Sequence, residues 1–162
     1  MKAKIFYMVL IISIINVMLM YSCQEIKPYP IVPYIEYRDF KKIDNGTGID
    51  DKGILYIYFT DGDGNIGVKD NEPDSTYNFF MNYYEKQEGN WVKIDFPSCA
   101  NFRLPMINTS KEPQSLEGVL ELEVFFNNPI SPYDTIQFEC WLFDRDNHES
   151  NHIFTPAIVV RK

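Results

Sequence analysis

The segment Asp61-Gly62-Asp63-Gly64-Asn65-Ile66-Gly67 sets oxygen-bearing side chains at alternate positions and puts glycines between them. That pattern suits a hard cation, because calcium takes six to eight oxygens at about 2.3 to 2.6 Å, often from one tightly folded loop. Glu72 stands twelfth counting from Asp61, where an EF-hand places its bidentate carboxylate. An EF-hand also wants glycine at the sixth position, where this chain has Ile66, and helices on both flanks, where Gly53 to Thr60 reads as a strand. The expectation is therefore an irregular calcium loop. A second acidic run, Asp144-Arg145-Asp146-Asn147-His148-Glu149-Ser150-Asn151, lies far along the chain. If the two runs met, Asp61, Asp63, Asn65, Asp144 and Asp146 would form one site, since adjacent carboxylates raise one another's pKa unless a cation neutralises them. Its role would be to rigidify. The same residue types also make turns with no ion, because their side chains bond local backbone and tolerate unusual φ.

Other chemistry is sparse. His148 and His152 are spaced i and i+4 outside any helix, without the carboxylate pattern of a zinc protease, and read as solvated loop histidines. No Gly-x-Ser-x-Gly elbow, phosphate loop or Cys-x-x-Cys pair occurs, so no enzyme is expected. Cys99 and Cys140 could pair in an oxidising compartment, closing a loop of about 40 residues worth about 3 to 4 kcal/mol. The alternative is a buried Cys140 within a strand.

The elements that must position these loops are strands. Gly53 to Thr60 is a short aromatic and β-branched run, and Leu116 to Phe126 alternates Leu120, Leu122 and Val124 against Glu121 and Glu123. Pro33 to Phe40, Thr135 to Phe143 and Ile153 to Val160 supply three more. Tyr77 to Lys86 and Asn90 to Phe96 lie around Glu88-Gly89-Asn90, a hairpin signal because glycine and asparagine tolerate the positive φ that tight turns demand. No segment after the N-terminal run keeps a 3.6-residue period. About seven strands predict an all-β, immunoglobulin-like antiparallel β-sandwich over residues 34–162. In that strand order, the loop after the second strand and the loop between the last two share one end. Tyr56, Tyr58, Phe59, Trp91, Phe138, Trp141 and Phe143 are expected to furnish its core. Phe79-Phe80-Met81-Asn82-Tyr83-Tyr84 puts rings on both faces of one strand.

Lys2 and Lys4 precede an apolar run from Ile5 to Met20, the layout of an export signal. The run is also long enough for a signal anchor. Met20-Tyr21-Ser22-Cys23 resembles the bacterial lipobox, with Met20 where leucine is usual. The resemblance implies a signal peptide over 1–22, lipidation of Cys23 and a tether over 23–33 punctuated by Pro28, Pro30 and Pro33. Losing Lys2 and Lys4 takes the formal net charge from −8 to −10. With no basic cluster, nucleic acid is not an expected partner.

The segments Phe59-Thr60-Asp61-Gly62-Asp63-Gly64-Asn65-Ile66-Gly67-Val68 and Phe143-Asp144-Arg145-Asp146-Asn147-His148-Glu149-Ser150-Asn151, followed by Thr155-Pro156, resemble Bacteroidetes lipoproteins with a single immunoglobulin-like domain. The resemblance implies a lipid-anchored envelope protein, at the outer membrane on its periplasmic face or the cell surface, and no assigned activity. Two roles fit: a non-enzymatic binding or accessory module for a glycan or peptide, or a structural lipoprotein that pairs with another envelope protein.

Overall fold

The computed structural model describes residues 29–95, 101–109 and 114–162. The expected signal peptide, Cys23, most of the tether and Cys99 lie outside these residues. Among the described residues there are eight strands and no helix: β1 (Tyr34–Lys42), β2 (Lys52–Asp61), β3 (Phe79–Gln87), β4 (Asn90–Ile94), β5 (Leu116–Phe125), β6 (Thr135–Leu142), β7 (Ile153–Phe154) and β8 (Ile158–Val159). They form two antiparallel sheets, ordered β1-β2-β5 and β4-β3-β6-β7, with β8 also paired to β6. This is the immunoglobulin-type order that the sequence predicts.

The alternation read from sequence decides which residues meet between the sheets. Leu55, Ile57 and Phe59 of β2 and Leu120, Leu122 and Val124 of β5 face Phe79, Met81 and Tyr83 of β3 and Ile136, Phe138, Cys140 and Leu142 of β6. Cys140 is thus a buried strand residue. Strand period 2 also corrects the expected core. Phe59 and Phe138 lie in it, but Tyr56, Tyr58, Trp141 and Phe143 fall out of phase and are only half-buried, and Trp91 is exposed on β4.

Two more expectations change in detail. The final strand is broken into β7 and β8 by Thr155-Pro156-Ala157, because proline cannot donate to the ladder. Thr155 takes over the pairing: its N–H donates to the Phe138 carbonyl at 2.9 Å, and its Oγ1 accepts from Phe138 N at 3.1 Å. The hairpin forms where the sequence predicts it, but its positive φ falls on Glu88 and Gly89, at 48° and 86°, and not on Asn90. Asn151 clasps the sheets together: Ile35 N donates to its Oδ1 at 2.8 Å, and its Nδ2 donates to the Ile35 carbonyl at 2.9 Å.

On the outer face of the second sheet the rings stand in a row. Phe80 stacks on Trp141 at 5.7 Å between centroids, and Trp141 stacks on His152 at 4.7 Å with 4° between planes. The order β3-β6-β7 puts Phe80 and His152 on opposite sides of the indole, so neither of its faces is open to a sugar ring. His152 is exposed and lies in a loop, as the sequence reading expects, but both of its ring nitrogens are engaged. Its Nδ1 faces Glu139 Oε1 and its Nε2 faces Glu149 Oε1, each at 2.9 Å. The hydrogen bonds and charges of Glu149 and Glu139 raise its pKa. A raised value means its contribution to stability is complete below the unfolded histidine pKa of about 6.5 and fades as pH climbs through the folded value. In a ¹H–¹⁵N NMR titration, His152 is expected to hold its proton to a higher pH than a free imidazole, and Glu149→Gln to move its midpoint down. A midpoint unmoved by that substitution would show that the carboxylate does not hold it.

Candidate metal centre

Strand β2 runs straight into the acidic loop, and β6 delivers Asp144 two residues after Leu142. Because β2 and β6 belong to opposite sheets, their two loops close over the same end of the sandwich. The first loop needs its glycines. Gly64 and Gly67 have φ of +69° and +100°, and a Cβ on either would meet a backbone oxygen, of Gln114 at 2.1 Å and of Pro105 at 2.2 Å. Ser115 Oγ and Gln114 N donate to the carbonyls of Gly62 and Asp63, so the loop is also held from the β5 side.

Asp61 is fully buried. Its Oδ2 accepts from the backbone N–H groups of Asn65 at 2.8 Å and Ile66 at 3.2 Å, which curls the loop around the carboxylate. Asp144 plays the same part in the second loop. Its Oδ1 accepts from Asp146 N at 2.9 Å and His148 N at 2.8 Å, and its Oδ2 lies 2.8 Å from His148 Nδ1. Asn147 turns the chain there with φ of 64°. Hydrogen bonds join the loops: Arg145 N donates to the Asn65 carbonyl at 3.3 Å, Asn65 Nδ2 donates to Asp146 Oδ2 at 2.9 Å, and Arg145 Nη1 donates to the carbonyls of Ile66 and Gly67.

The structure brings together four of the five residues proposed from sequence. Asp61, Asp63 and Asp144 each offer a carboxylate oxygen within 4.8 Å of the others. Asn65 stands among them, bonded through Nδ2 to Asp63 Oδ2 at 3.0 Å. Asp146 is placed differently: it accepts from the Asn65 amide and is exposed, so it orients a ligand residue and stands outside the tight group. Glu72 is exposed on the following loop and takes no part. His148, read from sequence as solvated, instead pairs with Asp144, which raises the imidazole's pKa by hydrogen bond and charge. Only its nearness in sequence to Asp144 hinted at that pairing.

Three oxygens in the cluster are both buried and without a hydrogen-bond partner: Asp61 Oδ1, Asp63 Oδ1 and Asn65 Oδ1. A buried acceptor left unmade costs about 1 to 3 kcal/mol, more when charged, so native proteins seldom leave several together. Burial and the Asp63 carboxylate push the Asp61 pKa up to about 6, against the pull of its two backbone donors. Both observations describe a pocket of negative potential closed to water, with geometry that a proton or a small cation would satisfy. Asp61, Asp63, Asn65 and Asp144 are the residues that could hold such an ion. Searches of protein-family models, of curated proteins and of solved structures return no match to this chain.

Proposed function

We propose that the protein is an envelope lipoprotein, anchored through Cys23, whose non-catalytic β-sandwich serves as a binding or accessory module with one calcium ion pinning its loop end. The observation that carries the cation is the set of three orphaned, buried oxygens drawn from one loop and faced by a carboxylate from another. Calcium suits this cage better than magnesium, which dehydrates reluctantly and keeps several waters, whereas these oxygens are sealed from solvent. The ion would replace mutual carboxylate repulsion with shared attraction and lock two loops from opposite sheets.

The anchor is supported by the basic start, the apolar run and the Ser22-Cys23 junction. The non-catalytic reading rests on the sequence, in which no Gly-x-Ser-x-Gly elbow, phosphate loop or Cys-x-x-Cys pair occurs. The anchor is tested by expressing the full chain in a bacterial host with an alkyne-tagged fatty acid. Wild type is expected to take up the tag and sediment with membranes, and Cys23→Ser to take up none. A wild-type chain that sediments without the tag would replace the lipid anchor by an uncleaved signal anchor.

A further inference from the structure

A second site lies beside the cation cluster and goes beyond the reading above. A half-open pocket of about 450 Å³ separates the loop after β2 from the loop after β6. Phe80 and Phe143, in edge-to-face contact at 5.7 Å, form its apolar side. Lys69 and Arg145 line it as well, with Glu72 and with Asp144, whose carboxylate is taken up by the N–H groups of Asp146 and His148 and by the His148 ring. Among the described residues neither Lys69 nor Arg145 has an acidic partner. Arg145 spends one nitrogen, Nη1, on the carbonyls of Ile66 and Gly67, each at 3.3 Å, which fixes its base and leaves the rest of the guanidinium uncommitted.

The walls are pre-formed. Arg103 donates to the carbonyls of Lys69, Pro73 and Glu72 and so braces the outer loop. Asp144 fixes the turn on the other side. Asn78 lines the pocket and is only 7% exposed; its Oδ1 accepts from Leu104 N at 2.8 Å, and its Nδ2 is buried with no acceptor. An unmet buried donor in the wall of a pocket that also carries two unpaired cations asks for a ligand rich in oxygen.

We infer that this pocket binds a carboxylated sugar of the uronic acid class, its carboxylate between Lys69 and Arg145 and one apolar face of its ring against Phe80 and Phe143. The two cations select the carboxylate. Glu72 accepts from a hydroxyl, and the Asn78 amide donates to an oxygen. A pocket needs few well-placed polar groups on an apolar wall to fix orientation, and a sugar acid uses both signs of hydrogen bonding present here. An aryl carboxylate would leave Asn78 and Glu72 unused.

Ligand-observed saturation-transfer NMR tests this on the full chain in a detergent without a sugar headgroup, with D-glucuronate and D-glucose as probes. Chelator is present so that no bound metal can hold the carboxylate. Glucuronate is expected to show at least about fivefold stronger transfer than glucose. Lys69→Gln, whose side chain is exposed and bonds to nothing in the described structure, should bring glucuronate down to the level of glucose while leaving the melting temperature unchanged. Equal transfer to both sugars, no transfer to either, or glucuronate transfer indifferent to Lys69→Gln would each overturn the assignment.

Discussion

Calcium added to the chelator-treated protein is expected to raise its melting temperature by roughly 10 °C, since a ligand at a hundredfold excess over its dissociation constant stabilises the native state by about 2.7 kcal/mol. The informative variant is Asp61→Asn. An asparagine can still accept from the Asn65 and Ile66 N–H groups that Asp61 now holds, but it removes one negative charge from the cluster. Its chelated form should therefore melt at or above wild type, while its response to calcium disappears. Asp144→Ala should also abolish the response and should destabilise in chelator too, because it removes the acceptor that folds residues 144–148. Asp146→Asn should keep most of the calcium effect, as its carboxylate lies outside the tight group.

Acidity gives a second signature of the same cluster. The Asp61 pKa in the folded, metal-free protein, about 6, lies above the unfolded value of about 3.9, so the native state holds the proton more tightly. Wherever the native state binds more protons, stability falls as pH rises, here from about 4 to about 6. Calcium should abolish the loss above that window by taking the proton's place. Melting curves indifferent to calcium in wild type and in all three variants would leave the acidic loops as turns and nothing more.

Asp50→Ala is expected to cost about 3 kcal/mol in urea denaturation. Asp50 is 1% exposed and belongs to the loop between β1 and β2, at the end of the sandwich away from the acidic cluster. Its carboxylate accepts from Lys42 Nζ at 2.5 Å, from Arg161 N at 2.8 Å and from Arg161 Nε at 2.9 Å, and Asp50 N donates to the Arg161 carbonyl at 2.8 Å. One buried carboxylate thereby ties the last residues of the chain to the first hairpin. Breaking a buried ion pair usually costs 3 to 5 kcal/mol. The lower end applies because Lys42 and Arg161 keep 32% and 58% of their side chains in solvent and can rehydrate. Asp51→Ala, one residue on and exposed, should change stability by less than about 0.5 kcal/mol.

The acid behaviour of Asp50 runs opposite to that of Asp61. Desolvation pulls its pKa upward, but the Arg161 N–H and the two cations outweigh it and hold it down at about 2. A depressed value means the stabilisation is present above the unfolded pKa of about 3.9 and is lost as pH falls from about 4 to about 2. Asp50→Ala should therefore flatten the acid limb of the stability curve. An equal acid limb in mutant and wild type would mean the latch contributes little.

The strands were legible because their signal is local. Alternation in β2, β5 and β6 follows from side chains pointing to opposite faces at every step, and the β3–β4 turn is marked by Gly89, although Glu88 and not Asn90 supplies its other positive φ. The acidic loop was equally plain, since oxygen donors at alternate positions between glycines mean the same thing in any fold. Its partner could be guessed only through strand order. Asp50 was not legible at all: 111 residues separate it from Arg161, and nothing in either neighbourhood marks the pair.

The sequence by itself thus determined where the chain is strand, where it turns, and which loop can offer oxygens to a cation. Tertiary structure decided which residues meet: Asp144 joins Asp61 and Asp63 while Asp146 is held one layer out, and His148 and His152 are bound to carboxylates. It also decided that Trp141 is stacked between two rings, and that Lys69 and Arg145 share a pocket. The physical reason is that periodicity and turn chemistry are set by neighbours along the chain. The position of a loop residue to within a hydrogen bond is set by the packing of two sheets and by bonds across them, which no short segment encodes.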